Sequence, residues 1–175
     1  IIAKEDGIFP GDVLAISQSS IPRPRLAGRQ EEWTKLLGIW QAATAKSARL
    51  TLVTGEAGIG ATRLAEELVT WIRRQGGDVA VAHCDPACSL MPYAPIAEWL
   101  RSPALGPCLA ALARGRNPRL SEVARLLPEL LAEHPNLPAP TPLAEDWQRQ
   151  RFFEALAAPF LMTTRPLLLM VDDLH

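Results

Sequence analysis

The stretch Thr51-Leu-Val-Thr-Gly-Glu-Ala-Gly-Ile-Gly-Ala-Thr62 decides how this chain is read. An apolar run containing Leu50, Leu52 and Val53 leads into Gly55-x-x-x-x-Gly60, the spacing of a phosphate-binding loop. The motif then calls for Lys and Ser/Thr, and the chain supplies Ala61 and Thr62. The backbone cradle is kept and its cation is missing. Gly55, Gly58 and Gly60 permit dihedrals closed to other residues, so that bare N–H groups of the loop (Gly55, Glu56, Ala57, Gly58, Ile59, Gly60) can converge on an anion. The amides of Ala61, Thr62 and Arg63 open the following helix, whose dipole favours a phosphate there. A plain glycine turn is the alternative reading. The strand before the loop, the helix after it and the hydroxyl of Thr62 together argue against that.

The helix itself is legible. Leu64, Leu68, Trp71 and Ile72 recur at i, i+4, i+7 and i+8, and Arg73-Arg74 followed by Gly76-Gly77 closes it with cations and a glycine cap. At the far end of the chain, Arg165-Pro-Leu-Leu-Leu-Met-Val-Asp-Asp-Leu-His175 has the uninterrupted apolar character of a strand buried on both faces. It ends in two carboxylates. Asp172 suits a role in holding Mg²⁺ together with the Thr62 hydroxyl, and Asp173 suits the orientation or deprotonation of an attacking water.

These residues resemble the nucleotide-binding domain of the STAND class, the P-loop ATPases related to AAA+ proteins found in large bacterial transcriptional regulators. The likeness spans roughly residues 22–175. The loop and the acid strand are generic to P-loop proteins. The opening box Leu26-Ala-Gly-Arg-Gln-Glu-Glu-Trp33 and the segment Met91-Pro-Tyr-Ala-Pro-Ile-Ala-Glu-Trp-Leu100 carry the resemblance to this subgroup. It implies a three-layer α/β/α fold on a parallel sheet, with ATP or ADP and Mg²⁺ as ligands. It also implies Arg29 near the nucleotide, sensor and helical domains further along the chain as partners, and an oligomer formed with nucleotide. In the resembled fold one strand lies between the loop strand, Leu50–Thr54, and the acid strand, Leu167–Asp172, and another lies beyond the loop strand. Both would follow His175, so the fold is read as truncated after the acid strand, with unpaired central edges.

Composition fits one α/β domain of a cytoplasmic protein. The 175 residues are 48% hydrophobic and 21% charged, with a net charge of -1. Such a balance offers no electrostatic footprint for nucleic acid, and no apolar run reaches the ~18 residues of a membrane span. Three cysteines, at 84, 88 and 108, argue against a disulfide framework. His83, Cys84 and Cys88 lie close together, but Pro86 interrupts them and no second pair completes a metal set.

Residues 1–25 read as a linker or the tail of a preceding domain, with Ile21-Pro-Arg-Pro-Arg25 stiffened by proline, and residues 26–175 as the N-terminal part of a P-loop domain. Trp33, Leu36, Leu37 and Trp40 share one helix face, and Asp78–His83 reads as a strand. Eleven of the sixteen prolines fall between Cys84 and Leu143, which breaks that region into short helices over 95–101 and 119–131. A last helix over 146–162 places Trp147, Phe153, Leu156 and Phe160 on one side. Helical spacing assigns Trp99, Trp147, Phe152 and Phe153 to core packing rather than base stacking.

Three functional readings follow. The first is a regulatory ATP-binding switch whose hydrolysis is weakened or absent because Ala61 replaces the loop lysine. The second is a non-hydrolysing pseudo-ATPase that serves as an interaction scaffold. A small-molecule kinase also uses the loop, but the Asp172-Asp173 strand end and the opening box fit it poorly.

Overall fold

The computed structural model describes residues 2–3, 28–45, 48–84, 91–115, 117–140 and 142–173. Residues 26–27 of the opening box, Lys46, Cys88 and His175 lie outside them. Among the described residues four strands form one sheet: β1 (Ile2–Ala3), β2 (Arg49–Leu50), β3 (Asp78–His83) and β4 (Leu167–Asp172), in the order β2-β1-β4-β3. The helices are α1 (Gln30–Ala45), α2 (Ala61–Arg74), α3 (Ala94–Leu100), α4 (Gly106–Arg114), α5 (Arg119–Val123), α6 (Glu129–Glu133) and α7 (Asp146–Leu161).

Strands β3 and β4 pair in parallel along six residues, from Asp78 opposite Leu167 to His83 opposite Asp172. Alternation of side chains across that ladder divides the interior in two. Val79, Leu168 and Met170 pack with Trp33, Leu36, Leu37 and Trp40 of α1 and Leu64, Leu68, Trp71 and Ile72 of α2. Ala80, Leu167 and Leu169 pack on the other side, with Leu100, Leu112, Leu120, Phe152 and Leu156 from α3, α4, α5 and α7. The result is helix layers on both sides of a sheet, and β4 is buried on both faces, as its unbroken apolar sequence requires. Helix α2 ends as its glycines specify. Gly76 takes φ +81°, and the Gly76 and Gly77 amides return to the carbonyls of Arg73 and Ile72.

The sheet departs from the parallel expectation at β1. Ile2–Ala3 runs antiparallel to both neighbours, pairing Ile2 with Leu50 and Leu169, and Ala3 with Arg49 and Leu168. Helix α1 lies between β1 and β2 in the chain, yet the two strands pair antiparallel. A short strand from the stretch read as linker thus occupies the position between the loop strand and the acid strand.

Strand β2 is also shorter than Leu50–Thr54. It covers Arg49–Leu50, paired with Ala3 and Ile2. Leu50 and Leu52, expected in a buried strand, are 81% and 72% exposed, while Val53 packs against the α1–α2 layer.

Two helical readings need correction. The region 119–131 is not one helix but α5 and α6, separated by a turn, with Pro128 starting the second piece where its missing N–H costs nothing. In α7 the buried stripe is Phe152, Ala155, Leu156 and Pro159, at i, i+3, i+4 and i+7, whereas Trp147 and Phe153 are exposed. One residue of helix is a rotation of about 100°. That rotation puts Phe152 in the core and leaves Phe153 edge-on to the exposed Tyr93. Trp99 does pack against the core, and its indole N–H donates to the Met170 carbonyl at 2.7 Å, tying α3 to β4.

Candidate nucleotide site

Loop geometry at 55–60 follows from its glycines. Gly58 and Gly60 take φ +79° and +87°, in the left-handed region that disfavours any side chain. Gly55 is required for a different reason, since a Cβ there would stand 2.6 Å from Cγ2 of Ile59. The Ile59 amide closes the turn by donating to the Glu56 carbonyl at 3.1 Å. Gly60 is the N-cap of α2 and its carbonyl accepts from the Leu64 amide at 3.1 Å. The amides of Ala61, Thr62 and Arg63 come before that first helical bond and have no intrahelical acceptor. No side chain caps them. Three donors at the positive end of a 14-residue helix, beside an exposed glycine loop, suit an anionic oxygen cluster such as phosphate.

The acid strand brings its carboxylate to the same place. The Thr62 hydroxyl donates to Oδ1 of Asp172 at 3.2 Å. That oxygen also accepts from the Asp173 amide at 3.1 Å, and the Asp172 carbonyl accepts from the Cys84 amide at 3.0 Å. Asp173 follows at φ +54°, a turn conformation that Asp tolerates better than most residues. A hydroxyl and a carboxylate in contact at the helix N-terminus are oxygen donors of the kind that Mg²⁺ takes alongside phosphate oxygens and water.

The remaining residues divide. Arg63 is turned along its helix, where Nη2 pairs with Oε1 of Glu67 at 2.9 Å, and so does not stand in for the missing lysine. Arg29 precedes α1 and its carbonyl accepts from the Trp33 amide at 3.1 Å. Among the described residues no hydrogen bond or ion pair joins the Arg29 side chain to the loop. Glu98 lay outside the sequence reading: its Oε2 accepts from the His83 amide at 2.9 Å, at the strand position opposite Asp172. No spacing in the sequence signals that contact, because it joins a strand edge to a helix across an intervening segment.

A sequence model of the AAA ATPase domain matches residues 25–175. The chain belongs to that family. This AAA ATPase domain is therefore related to the AAA+ P-loop NTPases, a family that generally binds ATP with Mg²⁺. No curated protein and no solved structure matches the chain. Among the described residues of the AAA ATPase domain, no helix is long and apolar enough to cross a membrane.

Proposed function

We propose that this AAA ATPase domain is the nucleotide-binding switch module of a bacterial signalling or transcriptional regulator, with ATP turnover weakened or absent because Ala61 stands where the loop has lysine. The observation that carries the reading is the contact of Thr62 with Asp172 at the uncapped start of α2. Residues 55–63 hold the phosphates through backbone donors. Thr62 and Asp172 hold Mg²⁺, and Asp173 orients the attacking water. Bound Mg²⁺ supplies charge neutralisation between the phosphates. Residues 26–175 act as the N-terminal part of the nucleotide domain, completed by helical or sensor domains of the same polypeptide, and nucleotide state sets their arrangement and any oligomer.

Ala61 and the commitment of Arg63 to Glu67 favour a second reading, a pseudo-ATPase scaffold that binds nucleotide weakly and does not hydrolyse it. A charge-assisted hydrogen bond to phosphate is worth ~1.5–3 kcal/mol, so the missing lysine weakens binding by roughly 10- to 100-fold. Its effect on hydrolysis is larger, because charge develops on the transferring phosphoryl group.

Titration of a fluorescent ATP analogue into the wild type and Ala61→Lys, with and without Mg²⁺, tests the reading. Affinity should rise by at least ~10-fold in the variant. Equal affinity for both proteins would mean that the cradle is not used for phosphate. Steady ATP turnover by Ala61→Lys but not by the wild type would support the switch ancestry and leave the present chain as a scaffold.

A further inference from the structure

Helices α5 and α7 pack together on the side of the sheet opposite α2. At their junction a polar cleft of about 340 Å³ is lined by Asn117, Pro118, Arg119, Glu122, Arg151 and Glu154. Arg119 stands three residues before Glu122 and Arg151 three before Glu154, a spacing at which opposite charges on a helix can pair. Among the described residues neither pair forms. Glu122 instead turns its Oε2 to Nε of Arg125 at 2.8 Å, and Oε1 of Glu154 accepts from the Gln150 side-chain amide at 2.9 Å. Arg151 lies over the Trp147 ring, 5.8 Å from its centroid. Arg119 and Arg151 thus reach the cleft with no carboxylate partner among the described residues. Oδ1 of Asn117 accepts from the Arg119 amide at 3.0 Å, which leaves its NH₂ group to donate.

Two guanidiniums without a counter-charge beside one hollow suit a carboxylate, whose two oxygens match the planar fork of an arginine. The same hollow is lined by two carboxylates, each with one oxygen outside the bonds just named. Glu122 is only 9% exposed, so a charge placed against it is poorly screened. A phosphate would meet these carboxylates with like charge, and a simple cation would meet the arginines. A small molecule of both signs meets neither repulsion. We propose that this cleft binds a free α-amino acid, its carboxylate on Arg119 and Arg151 and its ammonium on Glu122 and Glu154. The volume lies at the small end of ligand pockets, which suits a molecule of that size. The site shares no residue with the phosphate loop or the acid strand and does not depend on the nucleotide reading.

Titration of a mixture of the twenty common L-amino acids into the ¹⁵N-labelled chain tests this. Amide resonances of residues 119–122 and 150–154 should shift together and saturate, while those of 61–63 stay in place. No shift at the cleft overturns the proposal, and so do shifts confined to other parts of the chain. Single titrations then identify the tightest binder in the mixture. Sodium acetate and methylammonium chloride, which carry one charge each, should bind at least ~10-fold more weakly than that amino acid. A match by either ion would make the cleft a site for a single charge and overturn the assignment.

Variants locate the two ends of the ligand. The double variant Arg119→Gln, Arg151→Gln should weaken binding of the same amino acid at least ~10-fold. Glu154→Gln should weaken it at least ~3-fold, less because that carboxylate is exposed. All three side chains are exposed, so the amide spectrum away from the cleft should stay that of the wild type. Arg149→Gln, on the same helix but outside the cleft, should bind as wild type does. Undiminished affinity in the double variant or in Glu154→Gln overturns the proposal, and so does an equal loss in Arg149→Gln.

Discussion

Thr62 donates its hydroxyl to Oδ1 of Asp172 at 3.2 Å, joining the first turn of α2 to the end of β4 across 110 residues of sequence. Each residue alone has an ordinary explanation, a helix-start threonine and an acidic turn. Their contact beside three uncapped amides does not. It places a hydroxyl, a carboxylate and an anion-attracting helix end in one location, which is what binding a phosphate with a hard cation requires.

That contact can be broken from either side. In the Ala61→Lys background, Thr62→Val and Asp172→Ala should each bring the affinity measured with Mg²⁺ down to the Mg²⁺-free value. Asp172→Ala should also abolish Mg²⁺-dependent phosphate release. Turnover that survives Asp172→Ala would remove β4 from the site.

The loop glycines separate two kinds of cost. Gly60→Ala forces a side chain into φ +87°, and should destabilise by about 1–2 kcal/mol in urea denaturation even without nucleotide. Gly55→Ala meets Ile59 instead, and the double variant Gly55→Ala, Ile59→Ala should recover part of the loss. No recovery would show that the loop does not adopt this turn.

Neighbouring phenylalanines in α7 should behave differently. Phe152 is 3% exposed and lies in the core, so Phe152→Ala should cost about 3–5 kcal/mol. Phe153 is 47% exposed, and Phe153→Ala should cost clearly less, about 1 kcal/mol, mostly its edge contact with Tyr93. Chemical denaturation of the two variants decides it, and equal losses would mean that the helix is rotated from the orientation described.

One ion pair gives a pH dependence with a defined sign. Arg101 donates to Glu129 at 2.7 Å and holds that carboxyl below the usual glutamate range, outweighing the opposing effect of partial burial. A carboxyl whose folded pKa is lowered adds stability above its unfolded pKa and loses it as pH falls through the folded one. Both partners are largely exposed, so screening keeps the contribution to at most ~1 kcal/mol. Arg101→Met should therefore be slightly less stable than wild type at neutral pH, with the gap closing in acid. A gap that widened in acid would reverse the assignment.

The elements nearest the candidate site were legible because local rules decide them. Glycine spacing marked the loop, apolar periodicity marked α2 and its buried face, and an unbroken apolar run with terminal carboxylates marked β4. Those signals depend on a residue's own dihedral limits or on a neighbour within two helical turns. Family membership over residues 25–175 agrees with them.

What the tertiary structure decided depended on partners far away in the chain. The reading of α7 went wrong by one residue because adjacent phenylalanines satisfy almost the same helical pattern, and only packing against α4 and α5 distinguishes them. Expecting β2 to be long and buried failed for a related reason: Leu50, Leu52 and Val53 are apolar enough for a core strand, but pairing and burial depend on partners distant in the chain, and Leu50 and Leu52 stay exposed. Nothing in Ile2-Ala3 announces a strand. Its place between the loop and the acid follows from backbone groups on β2 and β4 that pair with another chain segment, and such groups carry no mark in the sequence. Sequence alone thus determined the candidate phosphate cradle and its missing cation. The meeting of Thr62 with Asp172, and the pairing of Ile2–Ala3 with β2 and β4, came from long-range pairing and packing.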